Sequence, residues 1–157
     1  MSRIDFNIMM LKICELIAQR AMCVKGKVGA VIVKNGQIVS CGYNGMITGL
    51  PNCECEADCP RIGIQHGTRY EIGDCGHAES NSILFCAKNG ISCADTVMYI
   101  SSAPCELCAR AIVQAGIKEV YYIESGLYTG FEVLKKVGVI VHPYTKQQIT
   151  ECRYQTS

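Results

Sequence analysis

Twelve of the 157 residues are cysteine, and that count constrains this chain more than any other feature. Thiols at this density serve one of two ends. In a short secreted chain they build a disulfide framework, and in a larger reduced protein they bind metal. Here 49% of residues are apolar, enough for a real core in one domain of ordinary size. No secretory leader is expected: residues 1–5 carry charge of both signs, and Lys12 and Glu15 interrupt the apolar residues that follow. No apolar run approaches the roughly 20 residues of a membrane helix. The expectation is a soluble, cytoplasmic protein with reduced, metal-binding thiols and no membrane partner. Cys14, Cys41, Cys86, Cys93 and Cys152 fall in apolar patterns and read as small buried hydrophobes. A net charge of +1 offers no broad basic field for a polynucleotide. A small substrate is therefore favoured, with no nucleic-acid partner.

Periodicity divides the chain into alternating elements. Phe6, Met9, Met10, Ile13, Leu16 and Ile17 recur at spacings of three and four, predicting a helix over 4–21. Strands are predicted at 28–34 and 37–42 around the hairpin signal Asn35-Gly36. Residues 43–76 are rich in Gly, Cys, Pro and charge and lack periodicity, and a loop that long in a compact domain is functional or held by something. A helix over 77–88 closes at Asn89-Gly90. Then come a strand at 96–101, a helix at 105–115, a strand at 119–123, a helix at 131–137, a strand at 139–142 ending before Pro143, and a short helix at 146–152. The class is α/β, one mixed sheet flanked by helices.

Two segments carry the chemistry, and each opens a helix. One is His77-Ala78-Glu79 and the other is Pro104-Cys105-Glu106-Leu107-Cys108. Cys105 and Cys108 are three apart, so both sulfurs face one way on the first turn. A helix N-terminus lowers thiol pKa and suits thiolate ligands. One imidazole and two thiolates leave tetrahedral zinc a fourth position for water, as in a catalytic site. Bound zinc lowers the pKa of that water toward about 7. Glu79, two residues from a ligand, is placed to move its protons. Alone, either motif is weak, since C-x-x-C also occurs in redox proteins and zinc ribbons. Together, H-x-E followed by P-C-x-x-C marks zinc deaminases of cytosine and adenine.

The sequence resembles the deoxycytidylate (dCMP) deaminase family over about residues 5 to 142. The matching stretches are Val28-Gly29-Ala30-Val31-Ile32-Val33, Gly42-Tyr43-Asn44-Gly45, His77-Ala78-Glu79-Ser80-Asn81-Ser82-Ile83, Ser102-Ala103-Pro104-Cys105 and Ala115-Gly116-Ile117-Lys118. Departures are mild: Ser82 replaces the usual Ala, Ser101 the usual Thr, and Lys25 and Lys27 stand where the family often has Arg. The resemblance implies a three-layer α/β/α cytidine deaminase-like fold with a mixed five-stranded sheet. It implies one deaminase domain over 1–157, with a Cys-rich metal-binding insert at about 51–76. It further implies hydrolysis of dCMP to dUMP and ammonia, activated water attacking carbon 4 of the cytosine. Backbone around Ala78 and Cys105 would hold the base, and Asn44 the sugar. Lys25, Lys27, Ser102 and Tyr122 are candidates near the phosphate. Equally, either lysine can be merely solvated, Ser102 can simply cap the next helix, and Tyr122 can be core.

The same resemblance implies a second, structural zinc on Cys23, Cys53, Cys59 and Cys75, with His66 and Cys55 as rivals for a place. Independently of family, a loop of some 30 residues without periodicity cannot hold itself by apolar burial, whereas a closed four-ligand site contributes folding energy directly. The family is commonly a homohexamer activated by dCTP and inhibited by dTTP, each with Mg2+. Tyr43, Asn44, Asn81, Phe85 and Lys88 match the effector positions, although Phe85 alone reads as core or interface and Lys88 as a solvated helix end. Rival readings are a tRNA adenosine deaminase, a free cytidine deaminase, a riboflavin-pathway deaminase and a non-catalytic zinc-binding module. Glu79→Ala separates the last of these, since it abolishes deamination only in an enzyme.

Overall fold

The computed structural model describes residues 3–66, 68–126 and 130–151. Helix α1 (Phe6–Ala18) precedes the hairpin β1 (Gly29–Lys34) and β2 (Gln37–Tyr43). Asn35 and Gly36 both take positive φ, 51° and 75°, as a tight two-residue hairpin turn requires. A short ribbon, β3 (Gly45–Met46) with β4 (Cys75–Gly76), then closes off the Cys-rich segment. Next come α2 (Ala78–Lys88), β5 (Val97–Ile100), α3 (Glu106–Gln114), β6 (Glu119–Ile123), α4 (Gly130–Lys136), β7 (Ile140–Tyr144) and α5 (Lys146–Glu151).

The main sheet has the order β2-β1-β5-β6-β7. Strand β1 is antiparallel to β2 and β5, while β5, β6 and β7 run parallel through the crossover helices α3 and α4. The sheet is thus mixed and five-stranded, as expected. Strand β7 runs on through Pro143 rather than stopping before it; an edge strand tolerates a residue with no N–H to give. Of the cysteines expected as buried hydrophobes, Cys14, Cys86 and Cys93 are buried, Cys41 is instead exposed on edge strand β2, and Cys152 lies outside the described residues.

Alternation along the strands sorts side chains between two layers. Val31, Val33, Tyr99 and Ile123 face α1 and α5, packing on Met10, Leu11, Cys14 and Ile149. Ala30, Ile32, Met98, Ile100, Val120 and Tyr122 face α2, α3 and α4, packing on Ala78, Cys86, Ala109, Ile112 and Leu134. Burial on both faces explains why β1 reads as a continuous apolar run. Tyr99, Tyr121 and His142 stack across β5, β6 and β7, with ring centroids 4.9 and 4.1 Å apart. None of the described helices is long and apolar enough to cross a membrane.

Close approach of backbones sets the position of α2. A Cβ on Gly42 of β2 would stand 2.4 Å from the Ala78 carbonyl oxygen and 2.7 Å from the Ser82 nitrogen. Only glycine lets α2, and the residues at its head, sit this near the sheet.

The Cys-rich segment contains one 3₁₀ turn, Glu56–Asp58, and is otherwise irregular. Charged groups hold it from within. The Arg61 guanidinium donates to the carbonyls of Thr68, Arg69 and Ile72. The Lys25 ammonium donates to those of Arg61 and Ile64. The Asp58 carboxylate accepts from the backbone N–H groups of Glu54 and Cys55, which hold its pKa below the usual range.

Candidate metal and substrate site

Two helix starts converge behind β5. His77 is the N-cap residue of α2 and Cys105 that of α3, with the Cys105 sulfur accepting from the Cys108 N–H. His77 Nδ1 lies 3.5 Å from the Cys105 sulfur and 3.3 Å from the Cys108 sulfur. The three ligand atoms fall within 4.8 Å of one another, and among the described residues no other group of three His, Cys or carboxylate ligands does so. One nitrogen and two soft sulfurs are a donor set that fits zinc. Ser80 Oγ stands 3.9 Å from the Cys108 sulfur, and a Cβ on Gly130 would collide with the Pro104 and Cys105 carbonyls, so α4 begins hard against the cysteine turn.

Electrostatics favour ligation. The contact with Cys108 holds the Cys105 pKa below the ordinary thiol range. Its bond to Cys105 raises the His77 pKa. Glu79 is only 4% exposed, and burial raises its carboxyl pKa, a poise suited to taking and returning protons. A cavity of about 110 Å³ is lined by His77, Glu79 and Cys105 together with Asn44, Lys25 and His66.

Residues 5–124 match the family described as the cytidine and deoxycytidylate deaminase zinc-binding region. The chain belongs to that deaminase family. It is therefore a hydrolase. The deoxycytidylate deaminase of Enterobacteria phage T4 is 33% identical, across 92% of this chain and 93% of the phage protein. ComE operon protein 2 of Bacillus subtilis is 39% identical, across 90% of this chain and 72% of its own. Among solved structures, the dCMP deaminase of cyanophage S-TIM5 in complex with dCMP and dUMP superposes with a TM-score of 0.74 at 31% identity, covering 92% of this chain and all of that one.

The sequence candidates of this deaminase fall into three groups. Lys25, Asn44, Ala78 and Ser102 line the cavity. Asn44 uses its whole amide on the loop before β1: Oδ1 accepts from Val28 N at 2.7 Å and Nδ2 donates to Gly26 O at 2.9 Å. Ser102 Oγ pairs with Ser125 Oγ at 2.9 Å, so it bonds a neighbouring loop and does not cap α3, where Cys105 takes that place. Lys27 and Tyr122 are not brought to the cavity. Lys27 faces an open groove with Glu15 and Lys146. Tyr122 points to the helix side of β6 and stacks on Phe131 in the core. Tyr43, Phe85 and Lys88 are exposed along β2 and α2, and Asn81 Nδ2 donates to the Tyr43 carbonyl at 2.8 Å.

Cys23, Cys53, Cys59 and Cys75 face one small cavity under the ribbon. Burial first, and then the sulfurs of Cys23, Cys53 and Cys59, push the Cys75 thiol up. No three of the four are as close as the His77 group. His66 instead lines the larger cavity, and Cys55 is turned to the Asp58 carboxylate. Sequence patterns gave no hint of Arg61 or Tyr70, because their roles depend on which carbonyls and ligands the folded segment brings to them.

Proposed function

We propose that this chain hydrolyses dCMP to dUMP and ammonia, with His77, Cys105 and Cys108 holding a catalytic zinc. The observation that carries this is the cavity joining His77, Glu79 and Cys105 to Asn44 and Lys25. In this reading the metal-binding residues of its lining take the cytosine ring and Lys25 lies nearer the phosphate. Likeness to a deaminase solved with dCMP and dUMP supports the same substrate. Zinc bound there supplies a Lewis acid that activates water at neutral pH. Glu79 takes the proton from the attacking water and returns protons to ring nitrogen 3 and the departing amine. Ala78 and Cys105 backbone orient the base, and Asn44 shapes the sugar wall by fixing Gly26 and Val28. Lys25 and Ser102 lie toward the phosphate.

Cys23, Cys53, Cys59 and Cys75 hold a second, structural zinc in this reading. Their convergence on one cavity in a segment without apolar periodicity supports it. Activation by dCTP and inhibition by dTTP, each with Mg2+, belong to the reading through Tyr43, Asn44, Asn81, Phe85 and Lys88. A homohexamer belongs to the same reading, and Leu84 and Phe85, which expose 63% and 49% of their surface on α2, support an interface there. The deciding experiment is an ammonia-release panel of dCMP, CMP, deoxycytidine and dCTP, repeated for dCMP with dCTP or dTTP present. Fastest turnover of dCMP is expected. Preference for the unphosphorylated nucleoside would overturn the substrate assignment, and indifference to both triphosphates would overturn the regulation.

A further inference from the structure

Among the buried side-chain nitrogen and oxygen atoms of the described residues, one lacks a hydrogen bond: the Tyr70 hydroxyl. Buried phenols ordinarily find a partner, so an orphan of this kind asks for a reason. Its surroundings supply one. The Tyr70 ring meets the His77 ring edge-on, with centroids 5.7 Å apart and planes at 61°. The hydroxyl neighbours the Cys105 sulfur and forms no hydrogen bond with it. Tyr70 does not line the substrate cavity. It adjoins two residues of the metal-binding group, His77 and Cys105.

The chain around Tyr70 is built to hold it there. Arg61 donates to the carbonyls of Thr68 and Arg69 on one side and Ile72 on the other, bracketing the tyrosine. Arg69, the residue before it, adopts φ 49°, a left-handed conformation uncommon for a side chain of this size. Backbone of this kind persists where the surroundings over-determine it and gathers at functional sites.

We propose that Tyr70 is a positioning residue for the catalytic metal. Its hydroxyl donates an O–H···S hydrogen bond to Cys105 when that sulfur is a metal-bound thiolate, while its ring packs edge-on against His77 and fixes its plane. This rests on reading His77, Cys105 and Cys108 as the metal ligands. A metal-bound thiolate is a strong acceptor, and a small shift of the ring edge brings the hydroxyl to it. Partners of this kind orient metal ligands and tune the ion they hold. A hydrogen bond to the sulfur also draws charge from it, leaving the ion more electron-poor. The Cys-rich segment thus contributes a group to the catalytic centre as well as bordering the cavity.

Tyr70→Phe keeps the ring and removes only the hydroxyl. Two readouts besides turnover are expected to move. Zinc should pass from the loaded protein to a competing chelator about 10-fold faster or more. In the cobalt(II)-substituted protein, the thiolate-to-cobalt charge-transfer band should shift to longer wavelength, read as a difference spectrum against Cys105→Ser to isolate this site. Unchanged transfer rate and unchanged band in a folded Tyr70→Phe protein would overturn the proposal. Should that variant not fold, a crystal structure of zinc-loaded wild type decides: a hydroxyl turned away from Cys105 overturns it. If Cys105→Ser binds as much metal as wild type, the ligand assignment itself fails.

Discussion

The His77 Nδ1 nitrogen stands 3.3 Å from the Cys108 sulfur across 31 residues of chain. Neither residue is held there by the other. His77 is fixed by the ribbon of β3 and β4 and by the close seat of α2 on Gly42, and Cys108 by the first turn of α3 after β5. Ligand atoms already gathered in this way can take a metal without first ordering the backbone, and Glu79, proposed to move the protons, opens the same helix as His77.

Glu79→Gln should lower dCMP turnover by about 10²–10⁴, the usual worth of a positioned acid–base group. Zinc content should stay at the wild-type level, because Glu79 lies outside the three-ligand group. Ammonia release with metal analysis on the same sample checks both, and loss of zinc with activity would make Glu79 a ligand.

Metal counting tests the insert. Two zinc ions per chain are expected in wild type and one in Cys59→Ser. Because a structural metal contributes folding energy directly, the variant should also melt earlier. One ion per chain in both proteins would leave the insert without a metal.

Gly42→Ala should cost about 1–3 kcal/mol or more in stability, since the added carbon meets α2 backbone at 2.4 Å rather than a yielding side chain. Because α2 carries His77 and Glu79 at its head, activity should fall further than folding does. Chemical denaturation alongside dCMP kinetics measures the two; a variant as stable as wild type would mean α2 is free to shift.

Asn44→Ala leaves the Val28 N–H and the Gly26 carbonyl without their partner, a loss of about 1–3 kcal/mol. The loosened segment forms a cavity wall, so KM for dCMP should rise more than kcat falls. An unchanged KM would remove Asn44 from substrate positioning.

Burial first, and then the charges of Lys25 and Arg61, lower the pKa of His66 from its ordinary 6.5. A histidine depressed on folding lends stability above its unfolded pKa, and that share is lost as pH falls through the folded value. Between pH 7.5 and 5.5 the melting temperature of wild type should therefore fall more steeply than that of His66→Asn. Parallel curves would show that His66 does not resist protonation in the folded protein.

Much of this was readable from residue order. The hairpin at Asn35-Gly36, the alternation of strands and helices, and the two ligand motifs are local patterns, and local patterns fix local structure. His77, Glu79, Cys105 and Cys108 were identifiable because zinc chemistry demands those residue types at helix starts. Lys27 and Tyr122 were not separable from Lys25 and Ser102 by the same means. Which way a loop lysine turns, and which sheet face a strand tyrosine takes at the end of its alternation, depend on helices packed from elsewhere in the chain. The contents of the Cys-rich segment were also hidden. Its order comes from Arg61, Lys25 and Asp58 reaching particular carbonyls and N–H groups, and such bonds have no sequence period.

The cysteine count by itself set the expectation that metal rather than apolar burial organises part of this protein, and motif spacing named His77, Cys105 and Cys108 as the expected ligands of a catalytic ion. Only the tertiary structure decided what surrounds those atoms. It set Tyr70 edge-on against His77, Asn44 against Gly26 and Val28, and the insert cysteines around one cavity. The physical reason is that ligand identity is a property of residue type, whereas the neighbours of a ligand are chosen by packing between segments distant in the chain.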